Sequence, residues 1–280
     1  MDHKNGKWAN EILSLVNSED NWGNFHTLSV PVKGKAITTE QAIRRLYILG
    51  YTKDDEIIKN VIKQMEKAIK GERKIDDYFE KKHDWPFFEK LMLASWIRVF
   101  DPLNFYALEI AKEWGEIAEK AFLSGKYNKD DDVNAFTQWK GRKPKSGFET
   151  GFGMFYHAVL LKDILNSETE KAFIDYFLER PEGMGYIYNK KLSVVPENFM
   201  SREASCYLAA IEVLAEYKCA KEKLGFVREW LLQNQNENGL WDFGSKANDK
   251  VYFPLSDSWR NKEERIKDSM FRVNKLLEKI

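Results

Sequence analysis

Cysteine is scarce in this 280-residue chain: it holds two, Cys206 and Cys219. That is too few for a disulfide framework and fits a reducing compartment. Histidine is scarce too. His3, His26, His83 and His157, even with both cysteines, make no spaced zinc cluster, and no metal or other cofactor is expected. Charge of one sign is missing, because 44 Lys+Arg balance 44 Asp+Glu, so no overall field draws nucleic acid or an anionic membrane. Long apolar runs are missing as well. The longest uncharged stretch near the middle, Gly151 to Leu161, is far too short to span a bilayer. Met1-Asp2-His3-Lys4 leads into charged sequence with no apolar signal core. Together these absences predict a soluble, cytoplasmic protein with no membrane span and no nucleic-acid partner. No Gly/Ser linker divides the chain, which predicts one domain over residues 1–280. No nucleophile elbow, phosphate loop or dinucleotide fingerprint occurs.

What is abundant is aromatic: 14% of residues, including nine Trp, more than a minimal helical core needs. Apolar residues recur at helical spacing nearly everywhere, so the fold class is all-α, with about ten or eleven helices. Thr38 with Gln41 reads as a capping box, followed by Ile43, Leu46 and Tyr47 on one face. From Trp85 to Phe100 the chain is apolar nearly all round, which predicts a buried helix. Ile266, Met270, Val273, Leu277 and Ile280 line a last helix entered at Asn261 and Glu264, where Asp268 is placed to pair with Arg272 one turn on. Residues 126–147 and 186–199 read as loops, with a short strand at Val194, Val195 and Pro196.

The sharpest pattern is Trp230-Leu231, three residues, Gln235, three residues, Gly239, one residue, Trp241. Residues 221–234 read as an amphipathic helix, Gly239 as the chain reversal, and Trp241 as a ring folded back over the helix end with its indole N–H seeking an acceptor. The spacing resembles the repeat signature of squalene and terpenoid cyclases. Phe177-Leu178, Glu182 and Gly185-Tyr186 form a weaker echo, with Glu at the Gln position. The resemblance implies a single-domain α/α toroid, a ring or partial ring of helical hairpins around a central cavity, of the terpenoid cyclase/protein prenyltransferase-like superfamily.

The catalytic patterns of that superfamily are not met. Asp130-Asp131-Asp132 is contiguous rather than the Asp-x-Asp-Asp acid and reads as a solvated loop. Asp76-Asp77-x-x-Glu80 has the magnesium-binding spacing of class I terpene synthases, enzymes of another fold, without its usual second motif, and no Asp-x-Cys zinc pattern exists. Candidate ligand-binding residues are therefore sought among polar groups in aromatic or apolar settings. They are His26, Asp84 and Trp85, Arg98 inside the apolar helix, Tyr156 and His157, Tyr188, and Asp257, Trp259 and Arg260 before the last helix. Arg98 needs a partner, a carboxylate or a ligand anion, since an unpaired buried charge is costly. Arg260 beside Trp259 offers planar donors to a carboxylate or phosphate.

Three functions follow as expectations. The first is a binding protein or non-classical enzyme holding a small, partly apolar, isoprenoid-like ligand in an aromatic central pocket. The second is a carbohydrate-active (α/α)6-type enzyme with two carboxylates flanking a groove, for which Glu40, Asp84, Asp257 and Asp268 are available. The third is a protein-interaction scaffold. A small molecule is admitted as partner, while catalysis and oligomeric state stay open at this point.

Overall fold

A computed structural model describes residues 3–29, 37–75, 77, 85–145, 149–249 and 251–280. The described residues are helical, with no named strand; the remaining pairing is two isolated bridges, Met154 with Gly185 and Met184 with Tyr188. The strand expected at residues 194–196 is not formed. Ser193 N–H donates instead to Leu178 O at 2.9 Å, which ties this stretch to a helix rather than to a strand partner.

The first half alternates exposed-striped and deeply buried helices. α1 (Lys7–Leu13) precedes α2 (Thr39–Ile48), which starts at the expected capping box: Thr38 Oγ1 accepts from Gln41 N at 3.4 Å, and Gln41 Oε1 accepts from Thr38 N at 3.0 Å. α3 (Glu56–Ile69) buries Ile58, Val61, Ile62 and Met65, the stripe its periodicity predicts. α4 (Trp85–Phe100) is buried without interruption from Leu91 to Arg98, as an all-round apolar helix must be. α5 (Phe105–Ala121), capped by Asn104 Oδ1, packs on α4 through a stripe that includes Ala107, Ala111, Trp114 and Ala118.

α6 (Lys129–Lys140) is a correction, because residues 126–147 read as a loop. Asn128 Oδ1 accepts from Asp130 N (2.9 Å) and Asp131 N (3.1 Å), and the acidic triplet fills the first turn, where the helix dipole favours negative charge. Only Asp132, Ala135 and Phe136 are buried, too few to show a period.

The second half continues with α7 (Phe155–Leu160), α8 (Ser167–Glu179), α9 (Arg202–Leu214), α10 (Ala220–Lys223), α11 (Gly225–Gln233) and α12 (Lys262–Leu277). The single helix expected over 221–234 is broken at Leu224, where Gly225 supplies no side chain to hold the turn. α12 is capped by Asn261, whose side chain accepts from Glu263 N. Its Asp268 does not pair with Arg272. Asp268 Oδ2 accepts from Leu255 N and Ser256 N, both 2.9 Å, and from Trp259 Nε1 at 2.5 Å, while Arg272 Nε reaches Glu212 of α9 at 2.5 Å. Tertiary partners outcompete the helical neighbour because they also satisfy backbone donors that lack partners.

α4 is the axis of the packing, touching α3, α5 and α7, and α7 in turn touches α9. Buried apolar residues from Ala9 to Ile280 form one cluster. A seam joins sequence-distant parts: Asp257 Oδ1 accepts from Lys7 N at 2.9 Å, closing the first turn of α1, and Trp8 Nε1 donates to Ser256 O at 2.8 Å.

The segment after α11 folds as the sequence predicts. Gly239 takes φ +72°, Gln235 Nε2 donates to Gly239 O at 3.1 Å, and Trp241 Nε1 donates to Leu231 O at 2.7 Å. Leu231 O, in the last turn of α11, also accepts from Asn234 N at 3.1 Å, so the Trp241 indole occupies its second lone pair. In the weaker echo Glu182 meets Arg180 at 3.4 Å and Tyr186 packs against Tyr156, so a different set of contacts is built. Trp241→Phe keeps the ring and deletes the hydrogen bond; it is expected to destabilise the protein by about 1–2 kcal/mol. Urea unfolding would show this as a lower midpoint at unchanged slope.

Candidate functional site

A fully buried carboxylate sits where α2 begins. Thr39 N and Glu40 N donate to Asn24 O and Phe25 O, each at 2.9 Å, so the loop ahead of α2 caps the helix and drives Glu40 inward. Glu40 is fully buried. Its Oε1 accepts from Trp96 Nε1 (2.9 Å), Tyr156 OH (2.8 Å) and Arg44 Nη2 (3.4 Å), and Oε2 accepts from Thr27 N (2.6 Å). Burial pushes its carboxyl up, but Arg44, His26 and the hydrogen bonds outweigh that and hold it below the usual carboxylate range. The same burial, with Glu40 as neighbour, drives the Tyr156 hydroxyl well above its ordinary value, so Tyr156 is a fixed donor.

Arg44 turns from Glu40 into a cavity of about 240 Å³. Its guanidinium lies 5.3 Å from the Trp96 ring and 4.8 Å from Phe155. The wall takes Arg44, Tyr47 and Ile48 from α2, Trp96, Arg98 and Val99 from α4, and Phe155, Ala158 and Val159 from α7. α9 adds Ala209, Glu212 and Val213, and α12 adds Phe271, Arg272, Lys275 and Leu276. Tyr252 and Leu255 ahead of α12, with Pro102, Lys162, Ile187, Glu216 and Lys279 outside the helices, add the rest. Aromatic and aliphatic surface dominates, with charge set at intervals. Glu212 is held by Arg272 (2.5 and 3.1 Å), and Glu216 by Lys162 at 3.0 Å and by Lys279.

The structure scatters the sequence-derived candidates. Arg98 lies in the cavity wall, but its partner is neither carboxylate nor anion: Nη1 donates to Pro102 O at 2.7 Å and Nη2 to Lys162 O, both backbone carbonyls. Tyr156 is on Glu40, and His26 stands beside it among Phe88 (5.5 Å) and Tyr186 (5.3 Å). Trp85 is half-buried against Phe88, and Asp84 lies outside the described residues, as do Asp76 and Glu80 of the magnesium-like spacing. Tyr188 OH donates to Glu203 at 3.1 Å, away from the cavity wall. Asp257 caps α1, Trp259 is buried on Asp268, and Arg260 is exposed with its N–H on Ser258 Oγ, so this trio is not brought together with Arg98. Glu40, Asp257 and Asp268, named above as available carboxylates, are each engaged by fixed donors. The residues sequence reasoning passed over are Arg44, Trp96, Glu212, Tyr252 and Arg272. Glu40 and Arg44, one turn apart at the head of an apolar-striped helix, were the available signal.

His157 faces the other way, fully buried between Trp114 (4.9 Å) and Phe152 (5.4 Å). Neither ring nitrogen has a protein hydrogen-bond partner. Burial, with Arg180 nearby, pushes its pKa down to about 3. Beneath it Gly153 leaves no room for a side chain, since a Cβ there would fall on the Arg180 guanidinium. Both thiols are raised by burial, Cys219 to about 12. Among the described residues no cluster of three or more His, Cys, Asp or Glu could hold a metal, and no helix is long and apolar enough to cross a membrane.

Glu40→Gln would leave Arg44 buried without a charge partner and is expected to cost about 3–5 kcal/mol in denaturant unfolding. His157 gives a pH signature. Its folded value of about 3 lies below the ordinary 6.5, so protons favour the unfolded chain, and its contribution is whole above pH 6.5 and falls as pH drops toward 3. Wild type should lose roughly 2 kcal/mol more than His157→Phe between about pH 6.5 and pH 5. Equal losses in urea melts at the two pH values would rule this out. No family model, curated protein or solved structure matches the chain.

Proposed function

We propose that this is a cytoplasmic α/α toroid protein of the terpenoid cyclase/protein prenyltransferase-like kind, which binds a small, partly apolar, isoprenoid-sized ligand in its central cavity. The carrying observation is the cavity itself. Five helices, α2, α4, α7, α9 and α12, contribute to its wall, separated along the chain by helices that do not, and Trp96, Phe155, Tyr252 and Phe271 give it aromatic faces. Alternation of lining and outer helices is what stacked hairpins produce, and the Gln235–Trp241 clasp supports the same reading.

The wall suits holding rather than cutting. Its two carboxylates, Glu212 and Glu216, are ion-paired, and Glu216 is held below the usual range by Lys279 and Lys162 against the opposing effect of burial. At about 240 Å³ the space lies just below the ~300–1,000 Å³ usual for ligand pockets, which suits a small guest.

Native mass spectrometry of freshly purified protein, paired with geraniol titration, tests the reading. A co-purifying small mass is expected, and geraniol at about 100 times its Kd should add about 2.7 kcal/mol of stability, a rise of roughly 5–10 °C in Tm. Ala209→Phe fills the wall position on α9; it should keep the helical circular dichroism and lose both effects. A bare wild-type mass with no shift from geraniol would sink the proposal.

A further inference from the structure

The chain as a whole is neutral, yet the cavity is not. Six cationic side chains line it (Arg44, Arg98, Lys162, Arg272, Lys275, Lys279) against two carboxylates. Glu40, just behind the wall, offsets one more. A local excess of this size inside low-dielectric walls makes a positive potential that the rest of the protein does not share.

Two of these cations also carry unused donors. Arg44 and Arg98 are more than nine-tenths buried, and the Nε of each has no hydrogen-bond partner. Both N–H groups are covered by neighbouring atoms and do not themselves open on the cavity, but they show that the protein does not saturate either guanidinium with acceptors, and both charges stand at the wall. Arg98 is the better placed. Pro102 and Lys162, whose carbonyls fix its two terminal nitrogens, line the cavity with it, so its charge is held in position and no carboxylate neutralises it by contact. Lys275, exposed on α12, adds a further cation to the same wall, with no ion pair to an acid among the described residues.

We propose that the ligand of this cavity is a medium-chain carboxylate, its head on Arg98 and Arg44 and its chain against Trp96, Phe155 and Phe271. The planar guanidinium matches the two oxygens of a carboxylate better than it matches a hydroxyl. Cavity volume sets the chain. A cavity of about 240 Å³ is too small for a long chain and more than acetate needs, so octanoate is the probe of choice. The inference rests on the cavity reading above and adds the charge of the guest.

Isothermal titration of the full chain with octanoate, octanol, octylamine and acetate separates the outcomes. Octanoate should bind one per chain, at least tenfold tighter than octanol or octylamine and far tighter than acetate, with affinity falling as salt rises. Arg98→Gln should weaken octanoate about tenfold and leave octanol unchanged, a split that loss of packing alone would not produce. Lys275→Gln, at an exposed position where folding is not at stake, should cost octanoate two- to threefold and flatten the salt dependence. Octanol equal to octanoate would overturn the carboxylate assignment while leaving the apolar cavity standing. Octylamine binding tightest, acetate matching octanoate, or both variants binding octanoate like wild type would also overturn it. Binding of none of the four would remove the cavity reading and this inference together.

Discussion

Everything around the cavity is hung on the buried carboxylate of Glu40. Such a charge is tolerated only when each lone pair is occupied, and here the indole of α4, the phenol of α7, the guanidinium of α2 and a loop amide share the task. These donors lie far apart in the chain. One carboxylate therefore fixes the relative depth of three helices, which apolar packing alone leaves free to slide. α4 supplies the apolar counterpart, a helix buried on all sides from Leu91 to Arg98, so its neighbours must surround that part of it. Specific polar contacts and non-directional burial act on the same three elements.

Electrostatics follows a similar division of labour. Ion pairs such as Arg272–Glu212 and Lys162–Glu216 lash the helices and flanking turns around the cavity, while Arg98 is fixed through backbone carbonyls and keeps its charge uncancelled by contact. Away from the cavity, His157 and Asp132 are buried polar groups beside aromatic rings. Burial raises the Asp132 carboxyl, though Gly151 N–H and Tyr127 OH donate to it at 2.6 and 2.8 Å.

Much of the helical fold was legible because its signals are local. The Thr38–Gln41 box, the stripe of α3 and the unbroken apolarity of α4 all lie within a few turns. α6 was hidden because its three leading acids look like a solvated loop unless Asn128 is recognised as a cap. The site was less legible. Arg272 has an acid one turn away in Asp268, yet it pairs with Glu212 on another helix, and Asp268 turns to backbone amides ahead of its own helix. Arg98 stood out as a charge in an apolar run, but backbone carbonyls as its partners have no signature in residue type. Long-range pairing is set by how helices stack, which periodicity does not encode.

The seam between α1 and residues 256–257 has a consequence for the order of events during synthesis. Lys7 and Trp8 emerge from the ribosome early, while the acceptors that close their turn, Asp257 Oδ1 and Ser256 O, are made some 250 positions later. A helix as short as α1 is not stable on its own. It must wait, unclosed, until residues 256 and 257 have been made, and the helices packed around it wait with it. Contacts of such sequence separation slow folding. A nascent chain would thus carry the aromatic surface around α1 exposed until its acceptors arrive, which is where a chaperone would find it.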